Sequence, residues 1–517
     1  NPSKLQMYIS TSNENVAIQS ITTFNEALTN AEGITLSTDT DSDIDTYIKR
    51  VLADGGLVEN IPELYVKQTL YGLITPKLSL IPSGYKAGKI YSVFPNDGVA
   101  DFAFTRNSIA TRVGEDGLIQ EEAIDVPIVN NKGLRLENTS TNLAQYSETL
   151  NSSYYTYNPQ YAEVDTNQFL APDGTVTGML LRPITSNGYM GRNGWFVTGV
   201  AGETRTMSCF VQSGGGYQLL IGGIFGDEDA LFNPETLTWS AIGTDVISYG
   251  HDATTYANGW IRVWVIYTFT DGIGNGGAYA GFRVRDATGG TTIDGTSGVR
   301  IWGCQYEDGI GKLTSYIKTT NASVTRARDV IEDKASITNV FSTTDFTVFF
   351  KGKVDNQNAV YKHIKLETAD ASQNVFFRFF NGTFIISSTG VTPESTYYTS
   401  TRDTTDGIIV AVRFKENQVA IVIDGTLVYT DTFFSVFPST INTINFDSFY
   451  DAEVEDIRIY DEGKTDQDLI DLTLGAVNVS ADVPLTIMSA SYLAEIVTVV
   501  GEGTRNETVN IATTNLA

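Results

Sequence analysis

Between Trp260 and Thr270 the chain alternates without a break. Ile261, Val263, Val265, Tyr267 and Phe269 fall on one side, with Trp260, Arg262, Trp264 and Ile266 on the other. A strand turns successive side chains to opposite faces, so a period of two fits a half-buried strand and excludes an amphipathic helix. The same texture recurs. Met207, Cys209 and Val211 alternate within Thr206–Gln212, and Phe282 and Val284 oppose Arg283 and Arg285. Further on, Ile408, Val410, Val412 and Phe414 are followed by Val419, Ile421 and Ile423. Asn381-Gly382 and Asp424-Gly425 interrupt these runs where tight type I′ hairpin turns need residues that tolerate positive φ. Many short strands separated by turn signals predict paired antiparallel sheets. No period of about 20–50 residues is visible, which argues against a β-helix or a propeller.

The remaining segments are mixed. Ile44, Tyr47, Ile48, Val51 and Leu52 follow helical spacing after Ser42 or Asp43, either of which can cap, and Gly55-Gly56 supply a stop. The acidic run Asp39, Asp41, Asp43, Asp45 lacks the Gly and Glu of a calcium loop, because Ile44 and Arg50 occupy those places. It reads instead as a negatively charged helix start. The expected fold class is therefore mainly β: two tandem antiparallel sandwiches after a small mixed α/β N-terminal segment. The expected divisions are 1–94, 95–332, 333–475 and a tail at 476–517 with helical character near 488–499.

Composition removes whole classes of function. The chain has 517 residues, 61 acidic against 34 Lys plus Arg, and a formal charge of −27. A nucleic-acid partner would need basic surface to displace counterions from phosphates, so none is expected. No stretch approaches the roughly 18 consecutive apolar residues of a membrane helix, so no membrane insertion is expected. Two histidines and two cysteines leave little for His-based catalysis, zinc or a disulfide framework. Cys209 and Cys304 could pair, although each sits on an alternating run where a small buried thiol is the commoner outcome. The start, Asn1-Pro2-Ser3-Lys4, lacks an initiator Met and a signal-peptide core, as expected of a trimmed, cleaved or partial N-terminus.

Two groups of motifs bracket the second segment. The first is Asp101-Phe102-Ala103-Phe104-Thr105-Arg106-Asn107-Ser108, then Leu134-Arg135-Leu136-Glu137 and Thr141-Asn142-Leu143. The second is Val299-Arg300-Ile301-Trp302-Gly303-Cys304-Gln305-Tyr306-Glu307, then Thr314-Ser315-Tyr316-Ile317 and Val324-Thr325-Arg326-Ala327-Arg328-Asp329. Together they resemble a module of tailed-bacteriophage structural proteins, found in tail fibres, tailspikes and head appendages, which is similar to a carbohydrate-binding-module jelly roll. The third segment, through Asp345-Phe346-Thr347-Val348, Val419–Gly425 and Val454–Asp461, resembles the laminin-G/concanavalin-A-like sandwiches. These resemblances imply a non-enzymatic appendage on the outside of a phage particle, adhering to host-surface or mucus-type polysaccharide. They also imply attachment to other virion proteins through the N-terminal segment, and a homotrimer. The alternatives are a polysaccharide depolymerase and an architectural decoration protein without a ligand.

Glycan recognition needs flat aromatic rings and a few planar polar groups that fix orientation. The candidates are Tyr189, Arg192 and Trp195 in a Gly-rich stretch, and Arg262 with Trp264 on the polar side of their strand. Trp264 also has an ordinary reading as packing between sheets, and Trp302 reads as core. No cofactor is required. Calcium has a candidate set in Asp447, Asp451 and Glu453, since acidic rim loops can coordinate it. A glycosidase would need one carboxylate pair about 5–10 Å apart, and 61 acids single out none. The charge of −27 favours neutral over acidic glycans.

Overall fold

The computed structural model describes residues 9–12, 15–18, 43–58 and 76–474. Within the last range it omits 151–161, 185–188, 198–200, 224–228, 253–255, 270–277, 287–292, 309–310, 333–344, 356–360, 390–394, 401–402, 416–417, 432–440 and the single residues 96, 115, 131, 369 and 447. The chain is mainly β, built as antiparallel sheets. The helix expected after Asp43 spans Asp43–Ala53 and buries Tyr47 and Val51, and Gly55 follows at a φ of 74°. The tail helix expected near 488–499 lies outside the described residues.

The middle sandwich faces an eight-stranded sheet against a five-stranded one. The larger sheet runs Ala162–Phe169, Gly178–Pro183, Gly298–Asp308, Thr204–Gly214, Ile261–Thr268, Val246–Asp252, with Ser140–Asn142 and Val324–Arg326 at one end of Gly298–Asp308. The smaller runs Tyr189–Val197, Ala278–Asp286, Tyr217–Gly223, Asp229–Asn233, Thr238–Ser240. The alternation predicts the core correctly. Met207, Cys209, Val211, Val263, Val265, Tyr267, Phe282 and Val284 all enter it. Cys209 and Cys304 are both there as free thiols, and burial pushes the Cys209 thiol well up.

In the second sandwich the five-stranded sheet Ser395–Thr399, Thr383–Thr389, Asn374–Phe380, Lys362–Thr368, Ile441–Asn445 faces a second eight-stranded sheet. Asn381 and Gly382 make the expected hairpin turn at φ values of 47° and 73°, and Asp424 and Gly425 repeat it at 46° and 78°. A helix at Asp466–Leu474 closes the described chain.

Packing divides the chain elsewhere than at residues 95 and 332. Leu78–Leu80 and Gly133–Leu136 both pair with Ala452–Tyr460, in register Leu80↔Ile457 and Leu134↔Val454. Phe102, Phe104, Val129, Leu136 and Ile331 share one apolar core with Phe350, Phe377 and Val412. Strands from before and after the middle sandwich thus complete the C-terminal one. Alternation marks a strand but carries no information on which distant strand will pair with it.

Candidate functional site

The chain enters and leaves the middle sandwich across the outer face of its larger sheet. Entry and exit are tied together by buried ions. Arg106 bonds Asp329 at 3.3 Å, and Arg326 reaches both Asp329 and Glu137. Glu137 accepts from the Ser315 N–H at 2.8 Å and from its hydroxyl at 2.6 Å. Burial works against the Glu137 charge, but Arg135, Arg326 and Ser315 hold its carboxyl well below the usual carboxylate range. Much of the bracketing motif set is this staple, in which each buried charge has a partner.

Above the sheet, the staple holds a layer of side chains. Phe210 points away from the core that Cys209 and Val211 enter. Its ring meets Tyr256 at 4.9 Å, Trp302 at 5.4 Å and Tyr316 at 5.8 Å, all edge-on or nearly so. Arg262, on the adjacent strand, donates to the Thr314 carbonyl at 2.7 Å and to the Ser208 hydroxyl at 3.2 Å, and its guanidinium sits 5.4 Å from the Phe210 ring centre. Its buried Nε has no hydrogen-bond partner.

A cavity of about 140 Å³ opens beside this layer, between the two sandwiches. Phe210, Tyr256 and Tyr316 supply its rings, Arg112, Lys132, Arg135 and Arg262 its cations, and Asp252 and Glu453 its acids. Arg112 is paired with Glu122 and Arg135 with Glu137, whereas Lys132 is exposed on the rim. Burial raises the Tyr256 phenol, and Arg262 pulls it part of the way back. The cavity is smaller than the roughly 300–1,000 Å³ of pockets for drug-sized ligands, so it can admit only a small group.

The residues predicted from sequence separate here. Arg262 and Glu453 both line the cavity. Trp264 shares a strand face with Arg262 but is half-buried against Gly250 of the next strand, where an added Cβ would strike its indole. Tyr189, Arg192 and Trp195 lie on the strand Tyr189–Val197, with Tyr189 opposite Arg283, and their side chains fall outside the described residues. Asp447 falls outside them too. The Asp451 carboxylate accepts from Lys362 at 2.7 Å, from the Asn138 N–H at 3.0 Å and from Lys312. Among the described residues no three His, Cys, Asp or Glu side chains gather as a metal would need. Trp302 is fully buried, as expected, and its indole N–H donates to Thr177 at 2.9 Å. Sequence reasoning missed Tyr256, Tyr316 and Lys132 as site residues, and the one available signal was Phe210, an aromatic on the outer phase of its strand.

No protein-family model matches the chain, nor does any curated protein. Among solved structures the chain is similar to the Ruminococcus gnavus IT-sialidase CBM40 bound to α2,3-sialyllactose, at 14% identity, covering 28% of this chain and 91% of that one, with a TM-score of 0.23. It is similar to the binding domain of botulinum neurotoxin DC in complex with rat synaptotagmin II, at 12% identity, covering 28% and 40%, with a TM-score of 0.24. A third is the leech intramolecular trans-sialidase complexed with 2,7-anhydro-Neu5Ac, at 14% identity, covering 28% and 25%, with a TM-score of 0.21.

Proposed function

We propose that this chain is a glycan-binding, non-enzymatic structural protein on the outside of a tailed-bacteriophage particle. In this reading the sandwiches adhere to host-surface or mucus-type polysaccharide, and residues 1–94 attach the protein to other virion components. Homotrimeric copies supply avidity to weak single sites. The observation that carries the glycan reading is the cavity between the sandwiches, where Tyr256 and Tyr316 border the guanidinium of Arg262. Rings beside planar donors are what a sugar's apolar face and hydroxyls require. The phage assignment rests on the sequence motifs alone.

The test is a glycan array probed with the full chain, with and without calcium, beside the Tyr256→Ala variant. Binding that falls at least tenfold in the variant supports the reading. No binding in either condition leaves the architectural alternative, and release of reducing ends from host capsule establishes the depolymerase. Antibody labelling of intact particles checks the location, and absence of label from every purified particle removes the virion assignment.

A further inference from the structure

The second sandwich carries a different chemistry on the outer face of its five-stranded sheet. Ile364, Leu366, Val375, Phe377 and Phe379 fill the core, so the intervening residues His363, Lys365, Phe376, Arg378 and Phe380 take the other face. Phe376 is only 8% exposed there, with Arg378 and His363 packed against its ring. Tyr361, which is 48% exposed, stacks on Phe380 with centroids 4.4 Å apart and planes 24° apart. Between this pair and Phe376 lies Arg378, its guanidinium 5.4 Å from the Tyr361 ring centre and 4.0 Å from that of Phe376.

Arg378 is the unbalanced group. Its neighbour Lys365 is ion-paired with Glu367 at 2.6 Å. Among the described residues no carboxylate and no carbonyl is bonded to Arg378, although it is partly buried in a chain of charge −27. The Ser387 hydroxyl, opposite Phe376 on the adjoining strand, is 2% exposed and has no hydrogen-bond partner. A stacked, half-desolvated guanidinium with its fork unused is built for a planar anion. The adjacent flat rings fit the apolar face of a pyranose.

We infer that this face binds a carboxylated sugar, with Tyr361 and Phe380 taking the ring face and Arg378 the carboxylate. The local cation outweighs the chain's net charge because charges farther away than about 8–10 Å are screened. The inference shares with the proposed function only that the ligand is a glycan. The two sites lie on different faces, and their variants fail separately.

The experiment is calorimetric titration of the full chain with oligosaccharides bearing glucuronate, galacturonate or sialate, each beside its carboxyl-reduced counterpart. At least one acidic probe is expected to bind, with its reduced form at least tenfold weaker. Arg378→Gln should abolish that preference and Tyr361→Ala should weaken binding tenfold. Arg378→Lys, which keeps the charge but not the fork, should recover only part. Circular dichroism and melting of each variant establish that the fold persists. The inference is overturned if no acidic probe binds, if reduced probes bind equally, or if a folded Arg378→Gln protein binds as the parent does. It is likewise overturned if a sulfated, carboxylate-free glycan or a peptide C-terminus binds better at the same residues.

Discussion

Glu137 and Ser315 lie 178 residues apart and meet through two hydrogen bonds, the Ser315 hydroxyl and N–H both donating to the Glu137 carboxylate. One residue ends the strand arm that completes the C-terminal sandwich, and the other belongs to the segment roofing the middle sandwich. Their contact therefore joins the two cores, and it lies beside the cavity that Ser315 lines.

Glu137→Gln should consequently destabilise the protein by about 3–5 kcal/mol, because it leaves the buried Arg326 and the half-buried Arg135 beside a neutral group. The effect depends on pH. The folded carboxyl titrates below its unfolded value of 4.5, so its contribution is complete above that value and is lost as pH falls toward the folded value. Urea melts from pH 3 to pH 7 should show parent and variant converging at the acid end. A constant gap across that range would contradict the assignment.

Glu307 should behave with the opposite sign. It is fully buried, accepts from Ser140 at 2.6 Å and from Thr314, and burial raises its carboxyl above the ordinary range. A carboxyl raised on folding binds more protons in the native state, so stability falls as pH climbs from 4.5 through the folded value. Glu307→Gln, neutral at every pH, should be at least as stable as the parent at pH 7 and should lose that advantage below pH 4. The same urea series measures it, and a variant less stable at pH 7 than at pH 4 relative to parent would refute the sign.

Gly250 tests the reading of Trp264. The indole lies over the space a Cβ would fill, so Gly250→Ala must displace it. Overpacking of this kind costs about 1–3 kcal/mol. The expected readout is a lower melting temperature with a red-shifted tryptophan emission, and unchanged acidic-glycan binding at Arg378. An unaltered spectrum would mean that Trp264 is not seated on Gly250.

How much of this was legible follows from what each signal measures. Alternation from Ile261 to Phe269 reports a strand and its buried side because both are local properties. Asn381-Gly382 and Asp424-Gly425 report turns because a positive φ is a property of the residue. The pairing of Leu134 with Val454 has no such local trace. For the same reason the cavity was half visible. Arg262 was marked by its strand phase, whereas Tyr256 precedes a short turn and Tyr316 lies on a covering segment, where no period operates. Arg378 and Phe380 were readable as the outer phase of Asn374–Phe380, but that no carboxylate among the described residues bonds Arg378 emerges only in three dimensions.

The division of the chain gives the last prediction. A fragment cut at 95–332, the boundary that sequence texture suggests, would keep Phe102, Phe104, Val129, Leu134 and Leu136 but discard the strands they pack against. Those side chains are each at most 1% exposed in the whole chain. Their exposure would create an apolar patch and an unpaired edge at Gly133–Leu136, both of which promote aggregation. A fragment of 76–475 retains every one of these partners and should be monomeric or orderly in assembly, with a single cooperative melt. Size-exclusion chromatography and hydrogen exchange separate the outcomes. The 95–332 fragment should aggregate or exchange rapidly at 102–136, and protection there equal to that in 76–475 would show that the arm folds without its partner sheet.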